Sequence, residues 1–145
     1  MKKYLLSTIP VALLAVMPAK VDAAIFFDNV EQIRTMAPTG TDFNSGLVRE
    51  YKQLSIFEAD EMYDWIDAEH FAAKSIAAHN GRDVEPEALA DWSLKDRYLP
   101  EMRDARGKLM AAFAKGGRDA APAEAARAQA KFDCWVEQQE ENWQW

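Results

Sequence analysis

The sequence predicts an all-α protein, and three observations carry that prediction. Apolar residues recur at steps of three and four along most of residues 41–143. Capping and stopping residues fall where those stripes begin and end. No run alternates apolar and polar in the way a half-buried strand requires, and Val and Thr are scarce. The expected architecture is one long helix packed with two shorter ones, three-helix-bundle-like, with a connector laid across them, behind a cleaved signal peptide.

The helical domain is expected over residues 41–145. Thr41 or Asp42 caps a long stretch whose stripe runs Phe43, Leu47, Tyr51, Leu54, then Met62, Trp65, Ala72 and Ile76, ending near Asn80-Gly81. The register falters at Glu58, with Phe57 one position off, so a kink is admitted there. Unbroken, the helix would run about 57 Å. Residues 82–98 read as a connector in which Pro86 opens a short helix over Glu85–Asp91. Trp92, Leu94 and Tyr98 are the residues expected to pin it. Pro100 opens the next helix, with Met102, Ala105, Leu109, Ala112 and Phe113 in its stripe, and Lys115-Gly116-Gly117 stops it. Pro122 opens the last, carrying Ala125, Ala128, Phe132, Val136 and Trp143 near one face. Its end is anomalous: Glu137, Glu140 and Glu141 crowd the last turns, where the helix dipole favours cations. The stripe Phe43 to Leu54 is expected to outrun its partners, which implies self-association or a further helix.

Residues 1–23 read as a secretory signal peptide. Lys2 and Lys3 precede an apolar run from Leu5 to Met17, and Val21-Asp22-Ala23 fits a small-x-small cleavage pattern before Ala24. That run is shorter than the roughly 20 residues a membrane-crossing helix needs. Residues 24–40 read as a linker in which Val30 and Ile33 suit one helical turn. The expected location is periplasmic or secreted, and no transmembrane span is expected.

The whole chain carries a net charge of −7, which moves to near −9 for residues 24–145 because the leader holds Lys2, Lys3, Lys20 and Asp22. Nucleic acid is excluded as a partner, since its binding needs a basic surface. The single cysteine, Cys134, is either an unpaired thiol or half of a disulfide whose partner is missing.

Candidate chemistry is sparse. Asp60, Asp64 and Asp67 share a helical face, and Asp67 with His70 forms an acid-x-x-His element. A carboxylate-bridged metal site needs a matching element on another helix, and His79, the remaining histidine, is preceded by Ile76 three residues earlier. A solvated face is therefore expected, with no metal and no cofactor. Neither histidine is placed near Cys134 by the sequence, and no nucleophile elbow, phosphate loop or HExxH occurs, so no enzyme is expected. Trp65, Trp92 and Trp135 are the candidate lining of an aromatic binding groove.

Two stretches carry a family likeness. Tyr63-Asp64-Trp65-Ile66-Asp67-Ala68-Glu69-His70-Phe71-Ala72-Ala73-Lys74 is the first, and Ala128-Gln129-Ala130-Lys131-Phe132-Asp133-Cys134-Trp135-Val136-Glu137-Gln138-Gln139-Glu140-Glu141 the second. Both resemble the N-terminal region of alphaproteobacterial OmpA-family envelope proteins, and Ala105 to Met110 is similar more weakly. The resemblance implies a helical, exported module placed ahead of a peptidoglycan-binding domain, with outer-membrane association. Such proteins continue past the position of Trp143 with a second cysteine and then that domain, and many carry a lipid-modified cysteine where this chain has Ala24. Direct peptidoglycan binding is therefore not expected here, and the chain reads as a truncated or divergent member. The expected function is a non-enzymatic envelope module, structural or scaffolding, whose partner is another envelope protein or itself. The alternative is a periplasmic binding or adaptor protein using the aromatic groove.

Overall fold

The computed structural model describes residues 28–141. The expected signal peptide, the first residues of the expected linker, and Trp143 lie outside that range. Among the described residues all regular structure is helical: α1 (Asp28–Thr35), α2 (Phe43–Phe57), α3 (Trp65–His79), α4 (Leu99–Ala114), α5 (Gly117–Ala120) and α6 (Pro122–Glu141). The all-α class is as expected, and α2, α3 and α6 form its three-helix core.

The long helix expected from residue 41 to residue 80 is two helices folded against each other. Asp42 starts α2, its carboxylate accepting the Ser45 amide at 2.8 Å. Phe43, Leu47, Tyr51 and Ser55 follow at four-residue steps on its buried face. At Glu58 the backbone widens into a π-helical turn over Glu58–Met62, Tyr63 turns left-handed at φ 59°, and the Asp64 amide donates to the Glu58 carbonyl at 2.9 Å. Asp64 then caps α3, its Oδ1 accepting the amides of Ile66 and Asp67 at 3.0 Å each. The stripe breaks at this reversal: Met62 is half-buried and Trp65 36% exposed, and burial resumes along α3 at Ala68, Phe71, Ala72, Ser75 and Ala78. Hydroxyls seal the antiparallel pair. Ser55 Oγ donates to the Ala68 carbonyl at 2.6 Å and Ser75 Oγ to the Val48 carbonyl at 3.1 Å, while the Tyr51 and Phe71 rings stack with centroids 6.3 Å apart.

Helix α6 covers the face of α2 that the sequence leaves open. Gly46 marks the crossing: a Cβ there would lie 2.6 Å from that of Ala126. Phe43, Leu47 and Tyr51 are buried against Ala125, Ala126 and Ala130, each large side chain worth about 1.5–3 kcal/mol of transfer free energy. The surface thought to need a second copy or a fourth helix is thus filled within the chain, leaving Leu54 half-buried and Phe57 44% exposed.

Part of the expected linker is also structural. Helix α1 sinks Val30 and Ile33 completely against Ala59, Ala68 and Ala72. Asn29 Nδ2 bonds the Glu69 carboxylate, Arg34 grips both Asp60 oxygens at 2.9 and 2.6 Å, and Lys52 donates to the carbonyls of Arg34 and Met36.

In the connector the short helix expected over Glu85–Asp91 shrinks to a 3-10 turn at Leu89–Asp91. The backbone before it is committed elsewhere. Gln129 donates to the Val84 carbonyl at 2.7 Å, Asp133 takes the Glu87 amide at 2.8 Å, and Arg106 reaches the carbonyls of Glu87 and Pro86. Trp92, Leu94 and Tyr98 do pin this segment, packing around Met102, Phe132 and Val136. Helix α4 is peripheral and ends at Gly116 in the left-handed region, φ 84°. The small α5 was not anticipated.

Candidate functional site

Two groups of buried charge bridge α3 and α6 through their side chains. The first is fully partnered. Asp133, with no exposed surface, accepts from Tyr51 Oη at 2.5 Å, Lys74 Nζ at 2.6 Å and the Glu87 amide at 2.8 Å. Glu87 accepts from Lys74 Nζ at 2.5 Å and Trp92 Nε1 at 2.9 Å, and lies 2.8 Å from His70 Nε2. Burial pushes the Glu87 carboxyl upward, but His70, Lys74 and Trp92 outweigh it and hold it down at about 2. Burial raises Asp133 and Tyr51. Lys74 is the hinge of the arrangement, one ammonium held between two carboxylates.

The second group lacks such a centre. Glu58, from the π-helical turn, and Glu137, from α6, are 1% and 0% exposed, and none of their four carboxylate oxygens meets an N–H or hydroxyl donor, Glu137 facing the Glu141 carboxyl instead. Both are in electrostatic reach of Asp67 and Glu141, and Glu58 of Asp64 as well. One oxygen each from Asp64, Asp67 and Glu141 lie within 4.8 Å of one another, and all three residues are half-buried. Burial first, and the neighbouring carboxylates second, raise Glu58 to about 7, Asp67 to about 6 and Glu137 to about 9.

The residues singled out by sequence are redistributed by the fold. Asp60, grouped with Asp64 and Asp67 by helical spacing, leaves them to pair with Arg34. His70 leaves Asp67 for Glu87 and rests edge-on against Trp92, ring centroids 5.5 Å apart. His79 sits at the far end of α3 beside a hollow lined by Pro38, Asp42 and Gly81. Trp92 and Trp135 share the cluster around Met102, whereas Trp65 opens α3 outside it and is 36% exposed.

Cys134 is a free, half-buried thiol that receives Gln138 Nε2 at 3.4 Å. Burial, then the charges of Glu137 and Glu58, push it up to about 11, so it stays a thiol rather than the nucleophilic thiolate. Sequence reasoning passed over Lys74, Glu87, Asp133 and Glu58. Asp133 carried a signal, since it lies among Gln129, Ala130 and Val136 on the buried face of α6, where an isolated acid needs a partner.

Comparison with protein-family models, curated proteins and solved structures finds no match for this chain.

Proposed function

We propose that this chain is a non-enzymatic, exported module of the cell envelope with a structural or scaffolding role. The observation that carries the reading is the network around Lys74. The side chains best suited to moving protons, Lys74, His70, Tyr51, Glu87 and Asp133, bind one another and fasten the connector to the three-helix core. Their arrangement serves rigidity, which is what a scaffold requires. The leader-like residues 1–23 and the resemblance to OmpA-family N-terminal regions support the envelope setting. No described helix is long and apolar enough to cross a membrane, which suits a module that works beside the bilayer or associates with its surface through a partner.

Export is tested by expressing the tagged chain in a Gram-negative host, fractionating the cells and sequencing the N-terminus of the product. A periplasmic or envelope-bound product starting at Ala24 is expected. A cytoplasmic product retaining residues 1–23 would overturn the reading. In vivo cross-linking tests the scaffolding role: a defined adduct with one envelope component is expected, and a chain that forms none while folded and exported removes it.

A further inference from the structure

We propose that the carboxylates of Asp64, Asp67 and Glu141, backed by the buried carboxyls of Glu58 and Glu137, form a binding site for a hard divalent cation of the calcium class. Three elements bring them together: the π-helical turn, the first turn of α3 and the last turns of α6.

The argument starts from Glu58 and Glu137. A buried carboxyl without a donor is costly, so native proteins pair such groups or give them a metal. Here four buried oxygens from two side chains meet no N–H or hydroxyl donor, and the groups around them are further carboxylates. A cation at their centre would satisfy all of them together. It would also answer the placement of Glu137, Glu140 and Glu141 at a helix C-terminus, where positive charge is favoured. Glu140 itself is occupied, accepting the Ser93 amide at 2.6 Å.

The donor set selects the metal class. All-oxygen carboxylate sites suit Ca²⁺, Mg²⁺ or Mn²⁺ and offer nothing to soft ions. Oxygens bound to one Ca²⁺ at about 2.4 Å lie at most about 4.8 Å apart. Those of Asp64, Asp67 and Glu141 already meet that limit. Three clustered carboxylates, with two more behind them, fit the irregular, carboxylate-rich shell of Ca²⁺ better than the strict octahedron of Mg²⁺, which keeps most of its waters. Entry is open because Asp64, Asp67 and Glu141 are only half-buried, and an ion held by them would offset the charge of the two buried glutamates within electrostatic reach. His70, which the sequence pairs with Asp67, plays no part in this site, being held by Glu87.

Trp65 provides the assay. It follows Asp64 directly and begins α3, close enough to sensitise luminescence from Tb³⁺, a calcium substitute. The whole chain, stripped with chelator, is titrated with TbCl₃ under tryptophan excitation and then back-titrated with CaCl₂ or MgCl₂. Saturable emission at one equivalent, displaced more readily by calcium than by magnesium, is expected. Asp67→Asn and Glu141→Gln, at half-exposed positions, should each weaken binding about tenfold or more. Glu137→Leu, which relieves the buried charge, should fold and yet lose the thermal shift that CaCl₂ gives the parent chain. Emission that does not saturate, the absence of any calcium-induced shift in the parent, or binding that survives both Asp67→Asn and Glu141→Gln would overturn the site. Displacement by magnesium as readily as by calcium would overturn the assignment to the calcium class.

Discussion

The two buried charge groups draw on the same pair of helices and differ in whether their acids meet donors. Helix α3 contributes His70 and Lys74 to one and Asp67 to the other, while α6 contributes Asp133 to the first and Glu137, one turn on, to the second. Both α6 acids are fully buried. Asp133 meets an ammonium, a phenol and a backbone amide; Glu137 meets carboxylates. Burial alone therefore does not decide whether an acid locks a structure or loads it with repulsion. The counter-charge decides, and here it is supplied by a lysine in one place and left to a ligand in the other.

The largest effect should come from removing the ammonium that Asp133 and Glu87 share. Lys74→Met strands Asp133 and Glu87, and denaturant unfolding should show a loss of about 3–5 kcal/mol. A loss under about 1 kcal/mol would mean that the two acids accept a proton at little cost. The opposite sign is expected at the other group, where Glu137→Leu replaces an unpartnered buried carboxyl by an apolar side chain. In the presence of chelator it should stabilise the chain by about 1–3 kcal/mol. Destabilisation in that experiment would erase the contrast.

Titration should separate the groups again. Glu87 is held at about 2 in the folded chain, below its ordinary 4.5. It contributes stability that is complete above about 4.5 and lost as pH falls toward 2. Glu137 and Glu58 are raised from 4.5 to about 9 and about 7. The folded, metal-free chain binds their protons more tightly than the unfolded one, so stability falls as pH rises from about 5 to 9. Melting temperature followed against pH in chelator should show both limbs, and calcium should flatten only the alkaline one. The smallest effect is expected at the turn joining α2 to α3. Tyr63 is left-handed and 77% exposed, so Tyr63→Gly should gain about 0.5–1 kcal/mol while leaving the calcium response in place.

Helix starts and stops were legible because they are local. Asp42, Asn80-Gly81, Pro100, Lys115-Gly116 and Pro122 act within a turn of their own position, and each does what its chemistry dictates. The reversal at Tyr63 was not legible. It carries neither glycine nor proline, and the falter of the stripe at Glu58 reads as a kink in one helix rather than as a reversal between two. Of the site, the acids of α6 and the face of Asp64 and Asp67 stood out separately. What joined them was the folding back of α3, together with Glu58, which on a straight helix is only the point where the stripe falters. Lys74 was invisible for a related reason, since a lysine on a helix face is ordinary until α6 and the connector arrive with two acids.

The hairpin of α2 and α3 carries a consequence for the order of folding. Its seals, Ser55 to Ala68 and Val48 to Ser75, join residues close in sequence, so the loop closed is short and the pair should assemble early. Helix α6 reaches Tyr51 across 82 positions, through Asp133. Its docking removes Asp133 and Glu137 from water in a single event, one toward an ammonium and the other toward like charge. The late barrier in folding should therefore sit at α6, lowered by whatever neutralises Glu137 before it arrives.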